Sequence, residues 1–193
     1  MRNLTMMTDL YQLTMMYGYY NTNTHMRQAV FDLYFRRPNV NSAYAIAAGL
    51  EQVMEYIENL HFTEEDLNYL DSLNLFTRGF LDTLRELRFT GDIYAVPEGT
   101  VVFPNEPMVR VKAPLLEAQF IETALLNMIN HQTLIATKAS RVVIAAQGSS
   151  VLEFGLRRAQ GPDAGIYGAR AAIIGGCSAT SNVMTGQLFG IPV

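Results

Sequence analysis

The chain has 193 residues, 49% of them hydrophobic and 17% charged, enough to bury a core in one domain or in a small domain plus part of a second, and far from the composition of disordered chains. No run approaches the ~20 apolar residues of a membrane span, Asp9 and scattered threonines interrupt the stretch a secretory signal would need, and a lone cysteine, Cys177, cannot form an internal disulfide, so the expected compartment is the cytoplasm. A net charge of −4 without a basic stripe argues against nucleic acid as a partner.

Residues 9–20 predict a short helix stopped near Gly18. Ala29 to Phe35 alternates and is rich in aromatic and β-branched residues, as a strand should be, and Pro38 ends it. Tyr44 to Asn59 has helical spacing in Ile46, Leu50, Val53, Met54 and Ile57. Thr63 before Glu64, Glu65 and Asp66 is a helix-start signal, with acidic residues suiting the positive helix end. A second start at Thr77 leads into a helix through Leu87.

From Thr90 to Pro114 glycines and prolines separate Ile93–Val96, Val101–Phe103 and Met108–Val111, which read as short strands joined by tight turns. Glu117 to Ala146 contains neither proline nor glycine and predicts one long helix or two abutting ones. Val151–Phe154 is a strand opening into a loop. Helical text follows around Arg170 to Ile174 and Val183 to Leu188, with Ser178–Asn182 reading as a helix N-cap. Ile191–Val193 reads as a second strand, so a βα pattern starts its second round as the chain ends. The expectation is the first unit of an α/β barrel or parallel sheet, truncated.

The charge is uneven. Residues 1–129 carry nine basic against sixteen acidic side chains, whereas 130–193 carry five against two, and of fourteen basic residues only Lys112 and Lys138 are lysines. Arginine's planar fork suits carboxylates and phosphates, so the skew fits small anionic ligands. Two arginines, Arg157 and Arg158, follow the strand that ends at Phe154 and turns at Gly155; on the C-terminal rim of a parallel strand they could hold a phosphate or pyrophosphate, with Phe154 offering a flat face to an aromatic ring. His25, His61 and His131 have no metal-ligand spacing, and no metal site is expected from these residues. Cys177 lacks a nearby base and reads as a small buried residue. No Gly-rich phosphate loop ending in Lys-Ser/Thr is present.

Four stretches carry a resemblance. They are Thr8-Asp9-Leu10-Tyr11-Gln12-Leu13-Thr14-Met15; Phe31-Asp32-Leu33-Tyr34-Phe35-Arg36-Arg37-Pro38; Glu122-Thr123-Ala124-Leu125-Leu126 through Ala136-Thr137-Lys138-Ala139; and Glu153-Phe154-Gly155-Leu156-Arg157-Arg158-Ala159-Gln160-Gly161-Pro162-Asp163. In order and spacing the chain resembles nicotinate phosphoribosyltransferases, nearly from end to end. The resemblance implies an α/β fold: the N-terminal α/β domain of a type II phosphoribosyltransferase, over 1–130, followed at 131–193 by the first unit of an incomplete α/β barrel. It implies an enzyme of NAD salvage that joins nicotinate to phosphoribosyl pyrophosphate, with ATP and Mg2+, in a cytoplasmic homodimer with a shared active site. Phe154 would stack on the pyridine ring, and Tyr11 would reach the ring bound by the partner subunit; Arg157, Arg158 and Arg37 would meet the donor's phosphates; and Thr180, in the run that reads as a helix N-cap, would contact an anion. The resemblance puts a phosphorylated histidine, the coupling residue for ATP, beyond Val193. A sibling enzyme using nicotinamide or quinolinate, and a non-catalytic dimerising or binding module, are the alternatives.

Overall fold

The computed structural model describes residues 3–36 and 43–193. Contacts divide the chain into two compact units interleaved along the sequence. One comprises Met1–Asp32, Glu51–Tyr94 and Val109–Leu126; the other comprises Leu33–Leu50, Ala95–Met108 and Asn127–Val193.

The first unit begins with α1 (Leu10–Asn21), which buries Gln12, Leu13 and Met16. The helix runs past Gly18 rather than stopping there: Gly18 has open space around its Cα and its carbonyl accepts from Thr22 N–H. The turn comes at Asn23, at φ 53°, where an Asn side chain tolerates the left-handed region. α2 (Leu50–Glu58), α3 (Glu64–Ser72) and α4 (Arg78–Glu86) follow. The acidic start of α3 is a full capping box: Thr63 Oγ1 accepts from Asp66 N–H at 3.2 Å and the Asp66 carboxylate accepts from Thr63 N–H at 2.8 Å. Phe80 and Phe120 are fully buried. Tyr17, Tyr20 and Phe76 lie within 5.2–5.7 Å of Phe80, and Phe62 lies 5.2 Å from Phe120, centroid to centroid, so aromatic area carries much of this core.

A three-stranded sheet has the order β1 (Gln28–Tyr34), β5 (Pro107–Pro114), β3 (Asp92–Ala95). In β5 Met108, Val109, Val111 and Ala113 are buried while Arg110 and Lys112 point out. Arg110 forks onto Asp32 of β1 at 2.7 and 2.9 Å, holding that carboxyl below its ordinary range.

In the second unit the helical spacing expected from Tyr44 is overridden. β2 (Ala45–Ile46) pairs antiparallel with β4 (Val101–Val102), and α2 starts only at Leu50. The cause is Gly49, at φ +105°, where a Cβ would sit 2.9 Å from Ile129 Cα and from Met128 O. The chain passes against the backbone of α5 (Leu115–Ala145) there, and no side chain fits. α5 is a single helix of 31 residues. Its hydroxyls service β2 and the residues that follow it: Thr137 Oγ1 accepts from Ile46 N–H at 2.9 Å and Thr133 Oγ1 from Ala48 N–H at 3.3 Å.

The last segment contains β6 (Leu152–Glu153), a 3-10 turn (Leu156–Arg158), α6 (Pro162–Ile174), β7 (Ala179–Thr180) and α7 (Val183–Phe189). β6 and β7 are parallel, joined by the crossover helix α6. The βαβ expectation therefore holds, but its second strand is at 179–180 rather than 191–193. Thr180 N–H bonds Pro192 O at 3.0 Å, so the chain past α7 lies alongside β7. The N-cap expected in Ser178–Asn182 falls on Asn182, whose side chain accepts from Thr185 N–H at 3.2 Å. Among the described residues no helix is long and apolar enough to cross a membrane.

Candidate functional site

The C-terminal end of the β6–β7 pair is built from few residues. Ser178 N–H bonds Val151 O at 2.8 Å and Ser181 N–H bonds Glu153 O at 2.9 Å, so the two strands stop together at Glu153 and Thr180. Beyond Glu153 the chain turns through Phe154 and Gly155. Arg158 N–H closes on Gly155 O at 2.8 Å, which winds Leu156–Arg158 into one 3-10 turn. Gly161, at φ +105°, then caps α6, with Pro162 at its first position. α6 packs close on the turn: a Cβ on Gly165 would stand 2.7 Å from Leu156 Cδ1.

Phe154 is 67% exposed, and Arg157 and Arg158 are exposed beside it. Among the described residues neither guanidinium pairs with a carboxylate. Two unneutralised arginines and a bare ring on one rigid strand end can bind a molecule combining phosphate and a flat heterocycle. Thr180 differs. It is buried, its hydroxyl donates to Glu153 Oε2 at 2.6 Å, and its oxygen accepts from Asn182 N–H at 3.0 Å. Its contacts in this structure are internal.

Glu153 is the residue to which the sequence reading assigned no role. Its carboxylate accepts from Thr180 Oγ1 and from Gly155 N–H, tying the ends of both strands to the turn that carries the arginines. The sequence signal was a carboxylate in an otherwise apolar strand. Asn182 adds a second tie, donating to Gly165 O at 3.2 Å. Cys177 is buried among Ala139 and Ala172, and burial, with the Glu153 charge nearby, pushes its thiol up. It is an inert core residue. His131 Nε2 lies 3.3 Å from Ala164 O, a structural contact.

α6 also carries one half of a largely buried ion pair. Arg170 of α6 forks onto Glu98 at 2.6 and 3.0 Å and donates to Gln132 at 3.2 Å. Glu98 also accepts from Gly49 and Leu50 N–H, the latter at 3.1 Å. The Phe189 ring lies 5.5 Å from the Arg170 guanidinium.

Tyr11 belongs to the other unit and is half-exposed on α1. Its phenol oxygen accepts from Gln12 Nε2 at 2.9 Å. Arg37 lies outside the described residues.

The profile of the nicotinate phosphoribosyltransferase N-terminal domain matches residues 6–130. The chain belongs to the nicotinate phosphoribosyltransferase family. It is 52% identical over 191 residues to the nicotinate phosphoribosyltransferase of Bacillus subtilis, covering 99% of this chain and 39% of that protein. To a nicotinate phosphoribosyltransferase of Mycobacterium tuberculosis it is 46% identical over 185 residues, covering 96% and 40%. The crystal structure of human nicotinic acid phosphoribosyltransferase superposes with a TM-score of 0.89 at 38% identity, over 96% of this chain and 38% of that one. A nicotinate-nucleotide pyrophosphorylase from Pyrococcus furiosus superposes with a TM-score of 0.77 at 26% identity, over 99% and 41%. The chain thus spans about two fifths of the length of the curated relatives it matches. The mixed helix–strand architecture and the fold class expected from the sequence agree with these solved structures.

Proposed function

We propose that these residues form the N-terminal part of an enzyme that transfers ribose 5-phosphate from phosphoribosyl pyrophosphate to the ring nitrogen of nicotinate, in NAD salvage. The observation that carries the reading is the strand end where Phe154, Arg157 and Arg158 stand exposed together on a frame tied by Glu153 and Thr180. Identity of 52% and 46% to proteins named nicotinate phosphoribosyltransferases supports nicotinate as the acceptor.

In this reading the nicotinate nitrogen attacks C1 of the ribose while the C1–oxygen bond to pyrophosphate breaks. The nitrogen is already nucleophilic, so no protein nucleophile is needed. The protein aligns the ring and neutralises the departing charge. Phe154 is one stacking surface, and Tyr11 is the other, reaching the ring of a second subunit across the homodimer. Arg157, and with it Arg158, takes the donor's phosphates; Arg37 is a further candidate for them. Thr180 serves through its hold on Glu153.

Mg2+ and ATP belong to the reading as what the family resemblance implies. The described residues contain no group of three or more His, Cys, Asp or Glu that could hold a metal. That donor set does not fit a protein-caged ion, nor does the chain carry a Gly-rich Lys-Ser/Thr loop for a nucleotide, so no step is routed through either group. A cytoplasmic homodimer sharing its active sites completes the proposal.

Arg157 decides it. Removing one partner of a desolvated charged hydrogen bond costs about 2–5 kcal/mol, against well under ~1 kcal/mol for an exposed arginine. In the full-length enzyme Arg157→Ala should lower kcat/KM for phosphoribosyl pyrophosphate roughly a hundredfold or more. Arg157→Lys should recover little, because a point charge does not reproduce the fork. Near-normal turnover with Arg157→Ala would return the arginine to the solvent and the site to be sought elsewhere.

A further inference from the structure

Gln12 is wholly buried and Gln119 nearly so, yet both are amides in a helical core where leucines would fill the same space without losing hydration. Their geometry gives them an occupation. Glu122 Oε2 accepts from Gln12 Nε2 at 2.9 Å and from Gln119 Nε2 at 3.2 Å. A carboxylate only accepts, so both amides must turn their NH2 groups towards it, and chemistry settles their orientation. Gln119 also donates to Gln12 Oε1, and Tyr19 donates to Gln119 Oε1 at 3.3 Å. Gln12 Nε2 has two protons. One goes to Glu122; the other goes to the Tyr11 phenol oxygen at 2.9 Å, with Thr123 Oγ1 the longer alternative at 3.4 Å.

We propose that Gln12, held by Gln119 and Glu122, is a positioning residue that fixes the plane of the Tyr11 ring for stacking on the acceptor heterocycle. The inference rests on the reading above that Tyr11 stacks on that ring. An exposed tyrosine is otherwise free to turn about two side-chain bonds, and ordering it on binding costs affinity. Here the phenol end is anchored by a hydrogen-bonded network of two buried amides and a carboxylate, while the ring itself stays half-exposed. The clamp thus pre-orders an aromatic face and contributes to ring binding rather than to donor binding.

The test is steady-state kinetics on the full-length enzyme with Tyr11→Phe, Tyr11→Ala, Gln12→Leu and the Tyr11→Phe/Gln12→Leu double variant. Tyr11→Phe keeps the ring and removes only the anchored oxygen, without a lesion in the core. It should raise KM for nicotinate roughly three- to tenfold, the worth of one hydrogen bond, and raise it more than KM for phosphoribosyl pyrophosphate. Gln12→Leu should do the same, and the double variant should be no worse than either single one. If Gln12→Leu does not fold, Tyr11→Phe alone decides. If Tyr11→Ala raises KM for nicotinate while Tyr11→Phe leaves it unchanged, stacking stands and the clamp is overturned. Additive effects in the double variant overturn it as well. If Tyr11→Ala leaves KM for nicotinate unchanged, the stacking role itself falls, and the clamp with it.

Discussion

Glu98 is one carboxylate holding three backbone and side-chain groups at once. Burial pushes its carboxyl up, but Arg170 and the N–H groups of Gly49 and Leu50 together hold it below the ordinary value of 4.5. A depressed carboxyl contributes stability that is complete above the unfolded value and is lost as pH falls through the folded one. Thermal unfolding followed from pH 7 downwards should therefore show Tm falling below about pH 4.5. Glu98→Gln should lower Tm at pH 7 and flatten that fall. Because the substitution removes the carboxylate onto which the buried Arg170 forks, the cost should be about 3 kcal/mol. A Glu98→Gln variant with the wild-type acid profile would mean that other carboxyls set it. The Asp32–Arg110 and Glu64–Arg85 pairs are exposed and should contribute little at ordinary salt.

Among the elements, those with local signals were legible and those made by distant partners were not. The α3 capping box is written in Thr63 and Asp66, and β5 in its alternation. Thr63→Ala should cost about 1 kcal/mol, measured by denaturant unfolding; no change would mean water satisfies that end equally well. The strand Ala45–Ile46 looked helical because its apolar residues match a helix face. Its state is set by pairing with Val102 and Val101 and by hydroxyls of α5, neither visible locally. β7 was hidden the same way, since two residues carry no period. At the candidate site the exposed residues Phe154, Arg157 and Arg158 were readable from the strand-turn text. The Glu153–Thr180 tie beneath them was not, nor was the Gln12–Gln119 contact beneath Tyr11, because hydrogen-bond partners about 27 and 107 positions apart in the chain leave no spacing signal. Gly49 is the sharpest test at this scale. Gly49→Ala meets both a left-handed backbone and the α5 main chain, so it should destabilise by more than about 2 kcal/mol, whereas Gly18→Ala, with open space around it, should be neutral or mildly stabilising.

Taken whole, the molecule shows much bare apolar surface. On the second unit Leu152, Phe154, Val183, Met184 and Leu188 are all more than half exposed, a pattern that in isolated domains marks a surface meant to be covered. The 193 residues expressed alone should bind a hydrophobic dye and self-associate with rising concentration in light scattering. A monodisperse monomer indifferent to the dye would show that this surface is tolerated in water. The interleaving of the two units has a consequence for how the protein comes into being. The first unit has all three of its segments once Leu126 is made, but Leu33–Leu50 and Ala95–Met108 belong to the second, whose largest segment starts only at Asn127. On the ribosome those earlier pieces emerge before the part of α5 whose hydroxyls accept from Ile46 and Ala48. Their ordering is thus tied to late synthesis, leaving the β2–β4 pair without its α5 backing while the chain is nascent, the kind of transiently open strand that chaperones recognise.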